Sequence, residues 1–270
     1  MHVDARPRPR QDTDRWFPYG PPREDLGMPL FCLPYAGGGA RMFRPWVGGL
    51  GTRVQVVPVQ LPGRENRRSE PPTVRLHPLV GELADLLADH TRGRYALFGH
   101  SMGATLAYEL AGELVARGAQ PPVTLFVSGS CAPHLRRIRP DMHLLSEKEF
   151  AAQIRRLGGT AAELLDDPGF AELYLPLLRA DLELVAGYQR TLPDRRMPSI
   201  SAFGGADDRA VEPAAVLEWH GYAEQHFRSR ILPGGHFFLH DQKTALLDSI
   251  LGDLRLMQRS SRPDGRRCPD

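Results

Sequence analysis

The sequence predicts an α/β fold: a mostly parallel central sheet flanked by helices. Two observations lead there. Six short β-rich runs are apolar throughout rather than alternating, and segments of helical periodicity separate them. Strands apolar on both faces must be covered on both faces, which is the arrangement of a parallel sheet between helix layers. A third observation divides the chain. From about 135 to 195 the alternation stops and the text is helical only.

Taken in order, residues 1–25 are rich in Pro, Arg and Asp and are expected to form a flexible N-terminal tail. The core is expected over 26–134 and 196–257. Its strand candidates are PLFCLPY (29–35), VQVVPVQ (54–60), YALFGH (95–100), VTLFVSG (123–129), SISAFGG (199–205) and SRILPGG (229–235). Helical patterns such as LHPLVGELADLLADH (76–90) and MGATLAYELAGELVARG (102–118) fall between them. The interval 135–195 holds SEKEFAAQIRRLGG and FAELYLPLLRADLELVAGYQ, which read as an all-helical insertion placed to cover a site. Residues 258–270 read as a flexible C-terminal tail.

Composition narrows the function. The 270 residues are 41% hydrophobic and 24% charged, enough for one sizeable core. A net charge of +2 gives no strong pull toward nucleic acid, and only two of the 34 basic residues, Lys148 and Lys243, are lysines. Cys32, Cys131 and Cys268 form neither a disulfide framework nor a metal-ligand spacing, which favours a reducing, cytoplasmic setting. There is no apolar signal region and no run of 18 apolar residues, so no membrane partner is expected. The expectation is a monomer.

The chemistry gathers at FGHSMGATLAYEL. Gly99-His100-Ser101-Met102-Gly103 fits G-x-S-x-G, a weak match alone that gains weight from its setting. A buried-strand run precedes Ser101 and a helix follows it, the strand–turn–helix context of a nucleophile elbow. The competing reading is a glycine-flanked turn with a structural serine. A serine nucleophile needs a base, and the base needs an orienting carboxylate. His236, in LPGGHFF after the last strand run, is the base candidate; His240 reads as structural, and His100 should point away from Ser101 Oγ. The acid lies in AFGGADDRAVEP. Asp208 fits the Gly205–Asp208–Val211 cadence, whereas Asp207 fits a helix cap.

Two backbone N–H groups complete the set as an oxyanion hole: Met102, after the nucleophile, and Ala36, in the loop LPYAGGGA (33–40). A phosphate cradle is the rival reading of that loop. It fails because neither the G-x-G-x-x-G spacing nor a following Lys-Ser/Thr is present. These residues point to a serine hydrolase or acyltransferase, leaving ester, amide and thioester all open.

Together, LFCLPYAGGGARMFRPW, VQLPGRENR, FGHSMGATLAYELA, LPLLRADLELVAGY and LPGGHFFL resemble the stand-alone type II thioesterases of polyketide synthase and nonribosomal peptide synthetase pathways, members of the α/β-hydrolase superfamily. The resemblance runs from Trp16 to Leu254 and includes Trp219, eight residues after Val211. Tyr35 stands where many members have histidine, and Arg209 where many have proline. The resemblance implies hydrolysis of acyl groups from the phosphopantetheine arm of acyl or peptidyl carrier proteins, which clears stalled assembly lines. It implies Ser101 as nucleophile, His236 as base, Asp208 as orienting acid, a helical lid over 135–195, and no metal or resident cofactor, since phosphopantetheine arrives with the substrate. Two arginine clusters, GRENRR (63–68, with Arg64–Arg68) and HLRRIRP (134–140, with Arg136–Arg139), are candidates to meet an acidic carrier surface. The rival functions are a carboxylesterase or lipase using the same triad, and a non-catalytic binding protein on the same fold.

Overall fold

The computed structural model describes residues 10–135, 141–157, 165–188 and 196–260. Six strands, β1 (Met28–Leu33), β2 (Val54–Pro58), β3 (Ala96–His100), β4 (Leu125–Ser128), β5 (Met197–Gly205) and β6 (Ala223–Leu232), form one sheet in the order β2-β1-β3-β4-β5-β6. All neighbours pair in parallel. Parallel neighbours need long crossovers, and helices supply them. The described helices are α1 (Arg10–Trp16), α2 (Leu76–Leu87), α3 (Met102–Ala116), α4 (Glu147–Leu157), α5 (Pro168–Val185), α6 (Pro213–Leu217), α7 (Phe238–Asp241) and α8 (Lys243–Ser260).

Successive strand residues face opposite sides of the sheet, and here both sides are dry. Phe31, Leu33, Leu97 and Val127 pack with Leu79 and Leu83 of α2 and Leu106 and Leu110 of α3. Leu30, Cys32, Phe98 and Phe126 pack the other face against Leu246, Ile250 and Leu254 of α8. That double burial is why the strand runs lack alternation.

The strand limits shift by a residue or more from the sequence reading, and three boundaries differ in ways that matter to the packing. The N-terminal tail over residues 1–25 is corrected from Arg10 onward. There α1 forms, and Trp16 and Phe17 are buried in the main core. The Trp16 carbonyl accepts the Gln60 N–H at 2.8 Å, and the Arg67 guanidinium lies 3.9 Å from the Trp16 ring centroid. Two aromatic anchors outweigh the polar composition around them. At the other end, α8 runs to Ser260, past the expected limit at 257. Strand β6 begins at Ala223, six residues before the expected run. Its first half reads as polar because β6 is an edge strand, and Glu224, His226 and Arg228 occupy it.

Between β4 and β5 the described residues contain helices and no strand. They have a core of their own, in which Phe150 and Ile154 of α4 meet Leu165 and Leu175 and Leu178 of α5. Asp167 caps α5, accepting the Gly169 N–H at 2.8 Å and the Phe170 N–H at 3.1 Å. No described helix is long and apolar enough to cross a membrane.

Candidate active site

Ser101 sits between β3 and α3 with φ 54° and ψ −113°, one of two non-glycine residues with positive φ among those described. Such a conformation costs about 1–3 kcal/mol and persists only where the surroundings enforce it. Here they do. The Ser101 N–H bonds Ser128 O at 2.8 Å, and the Ala104 N–H bonds Ser101 O at 3.1 Å. A side chain at Gly103 would run into the Leu33 carbonyl, so the tight passage of α3 against β1 demands glycine there.

Asp208 and His236 come together from loops after β5 and β6. The two loops are stitched by backbone bonds, Ala206 N–H to Leu232 O at 2.8 Å and Asp207 N–H to Gly234 O at 2.9 Å. A side chain on Gly205 would strike the Gly234 and Gly235 carbonyls, which is why glycine ends β5. His236 Nδ1 lies 2.8 Å from Asp208 Oδ2. The other oxygen, Oδ1, accepts the Ala210 N–H at 2.8 Å and the Val211 N–H at 3.1 Å. The carboxylate is thus held on both oxygens and buried, while Asp207 is exposed. The structure therefore brings Asp208, not Asp207, to His236. The helix cap considered for Asp207 is supplied by neither aspartate: the N-cap of α6 is Glu212, which makes no side-chain capping bond.

The His236 ring lies 5.2 Å, centroid to centroid, from that of His100, which immediately precedes Ser101. No hydrogen bond joins the Ser101 hydroxyl to His236 among the described residues. His100 turns from the serine to Ser128 Oγ, 2.9 Å away, and is fully buried. Burial, then the nearby His236 and His240, push its pKa well below the usual imidazole value, so the ring is neutral. The Tyr35 hydroxyl is 3.1 Å from His240 Nε2, and burial pushes its pKa up to about 12.

The loop after β1 makes a turn in which the Gly38 N–H bonds Tyr35 O at 2.9 Å, with Gly37 at φ +76°. That is the signature of a type II turn, which places a glycine third. Ala36 stands second, and its N–H has no acceptor among the described residues. Met102, the first residue of α3, has no intrahelical acceptor for its N–H either, and the helix N-terminus favours negative charge beside it. No group of three His, Cys, Asp or Glu able to hold a metal occurs among the described residues.

The arginine clusters fare differently. Arg64 and Arg67 are buried, which removes them as a docking surface. Arg64 pairs with Asp181, and Arg67 pairs with Glu70 through Nη2 at 2.6 Å. Arg136, Arg137 and Arg139 lie outside the described residues. What the sequence reading missed is Asp181 itself, which α5 delivers to the Ala36–Gly38 turn.

Comparison with known proteins agrees with this architecture. A family model described as "Thioesterase domain" matches residues 28–254. The gramicidin S biosynthesis protein GrsT of Aneurinibacillus migulanus is 35% identical over 91% of this chain and 96% of its own. Thioesterase PikA5 of Streptomyces venezuelae is 36% identical over 94% of this chain and 90% of its own. Among solved structures, the type II thioesterase BorB from the borrelidin biosynthetic cluster superposes with a TM-score of 0.78 at 35% identity, covering 94% of this chain and 99% of that one. An elbow serine, a carboxylate–imidazole pair and this likeness along nearly the whole chain have one reading: the chain belongs to the thioesterase family and is a thioester hydrolase on the α/β-hydrolase fold.

Proposed function

We propose that this thioesterase hydrolyses acyl groups from the phosphopantetheine arm of a carrier protein, in a polyketide or nonribosomal peptide pathway, through an acyl-enzyme on Ser101. The observation that carries the reading is the His236–Asp208 pair, whose imidazole lies 5.2 Å from the ring of His100, the residue before a serine at positive φ at the head of a helix. Ser101 Oγ attacks the thioester carbonyl while His236 Nε2 takes its proton. The Ala36 and Met102 N–H groups hold the resulting oxyanion. When the tetrahedral intermediate collapses, the C–S bond breaks and the proton passes from His236 to the leaving thiolate. Water then attacks the ester, giving its proton to His236, and the second collapse returns that proton to Ser101 and frees the acid. Asp208 keeps the proton on Nδ1, so that Nε2 is the basic nitrogen, and it stabilises the imidazolium. The insertion formed by α4 and α5 serves as the lid of the acyl site, in a protein that works as a monomer.

Ser101→Ala tests this reading. Turnover of an acyl-pantetheine thioester should fall by about 10⁴-fold or more while the unfolding midpoint stays near that of the parent. Mass spectrometry after a fluorophosphonate pulse should find the adduct on Ser101. An adduct on another residue would end the proposal. A carboxylesterase would instead turn over the matched oxygen ester at least as fast as the thioester.

A further inference from the structure

Asp181 is fully buried on α5, seven residues and about two turns after Tyr174, so both lie on one face of that helix. Its carboxylate accepts three hydrogen bonds. Arg64 Nη2 reaches Oδ1 at 2.7 Å, Arg64 Nη1 reaches Oδ2 at 2.7 Å, and the Gly37 N–H reaches the same Oδ2 at 2.7 Å. Arg64 continues from there: Nη1 donates to Gly38 O at 3.0 Å and Nε to Pro62 O at 3.1 Å. The two side chains are 4% and 1% exposed. Tyr174 lies directly over Gly37, where an added Cβ would run into the phenol. Ala36 packs on both the main core and the separate core of the insertion.

A buried ion pair is poor support for stability, because desolvation offsets its attraction and apolar replacements often serve as well. This pair does something apolar groups could not. It satisfies the N–H of Gly37 and the carbonyl of Gly38, the two peptide groups that set how the turn at Ala36 is presented. We infer that Arg64 and Asp181 are positioning residues for the oxyanion hole. They orient the Ala36–Gly37 segment so that the Ala36 N–H faces the reacting carbonyl, and they make that orientation depend on the seating of α5. The inference rests on the proposed role of Ala36. Placement of the insertion and readiness of the oxyanion hole then become one event, since the same carboxylate is anchored in the helix and bonded to the loop.

The test removes both charges together, so that neither is left buried alone. In the double variant Arg64→Met with Asp181→Leu, kcat on an acyl-pantetheine thioester should fall about 100-fold with KM changed less than threefold, the size of effect expected when one oxyanion donor is lost. Fluorophosphonate labelling of Ser101, which needs the same donor, should slow by a similar factor. The His236 Nδ1 proton resonance should stay in place, because the pair with Asp208 is untouched. A folded double variant with kcat within threefold of the parent would overturn the inference. If that variant does not fold, Asp181→Asn decides. It keeps an oxygen acceptor for Gly37 and should retain kcat within about tenfold, whereas Asp181→Leu should not. Equal losses in the two, compared at equal folded fraction, would also overturn it. Failure of the parent to label at Ser101 would instead refute the proposed function, so the two outcomes remain separable.

Discussion

Asp208 uses both carboxylate oxygens, Oδ2 for His236 Nδ1 and Oδ1 for the Ala210 and Val211 N–H groups. An amide in its place cannot serve both sets without presenting an N–H to one of them. Asp208→Asn should therefore leave the fold intact, favour the wrong histidine tautomer, and lower kcat by about 10⁴-fold. Asp207→Asn, at an exposed site, should change kcat less than threefold. Steady-state kinetics of the two variants on one thioester checks the pair, and a reversed ranking would move the acid by one residue. This residue was legible in the sequence because the Gly205–Asp208–Val211 spacing encodes a local turn. Arg64 was not. Its partner is 117 positions away, and a run of arginines looks the same whether solvated or buried.

Among the elements, α8 and the edge strand β6 show how polar text can be interior. Asp253 of α8 is 2% exposed and gathers Arg230 through two hydrogen bonds of 2.8 and 2.7 Å, Arg228 at 3.4 Å and the Ser201 hydroxyl at 2.7 Å. It pins the helix to Ser201 midway along β5 and to Arg228 and Arg230 within β6. Asp253→Ala leaves Ser201 without its acceptor and two partly exposed guanidinium groups without theirs, so a loss of about 2–3 kcal/mol is expected. Urea unfolding should show the lowered midpoint, with kcat at 25 °C retained, since Asp253 does not touch the site. A shift under 0.5 kcal/mol would mean that water replaces the carboxylate fully. The sequence shows this element only in part. The apolar stripe of α8 and the later residues of β6 are readable, but Glu224, His226 and Arg228 hide the first half, because an edge strand needs no apolar outer face. Trp16 and Phe17 were hidden for the opposite reason, as two aromatics in a charged segment that local composition assigns to solvent.

For the whole molecule, acid stability turns on a group that the elbow motif brings along. His100 is fully buried, with Nδ1 against Ser128 Oγ and no hydrogen-bond partner for Nε2 among the described residues. Protonation would add a charge in apolar surroundings beside His236 and His240. Burial, followed by those two neighbours, therefore holds its pKa well below 6.5, with a smaller opposing pull from the His236 backbone. Burial shifts His90 and His240 in the same direction. In the unfolded chain these imidazoles take up protons near pH 6.5; in the folded protein they do so only at lower pH. Between those values the unfolded state binds more protons, so stability is complete above pH 6.5 and is lost as pH falls through the window. His100 alone contributes a slope of up to about 1.4 kcal/mol per pH unit. Urea unfolding at pH 7.5, 6.5 and 5.5 should show a falling midpoint at constant m value. In His100→Gln, which keeps a hydrogen-bonding group for Ser128, that slope should shrink by close to one proton. A slope equal to that of the parent between pH 6.5 and 5.5 would refute the assignment to His100, because ordinary carboxylates titrate below that window.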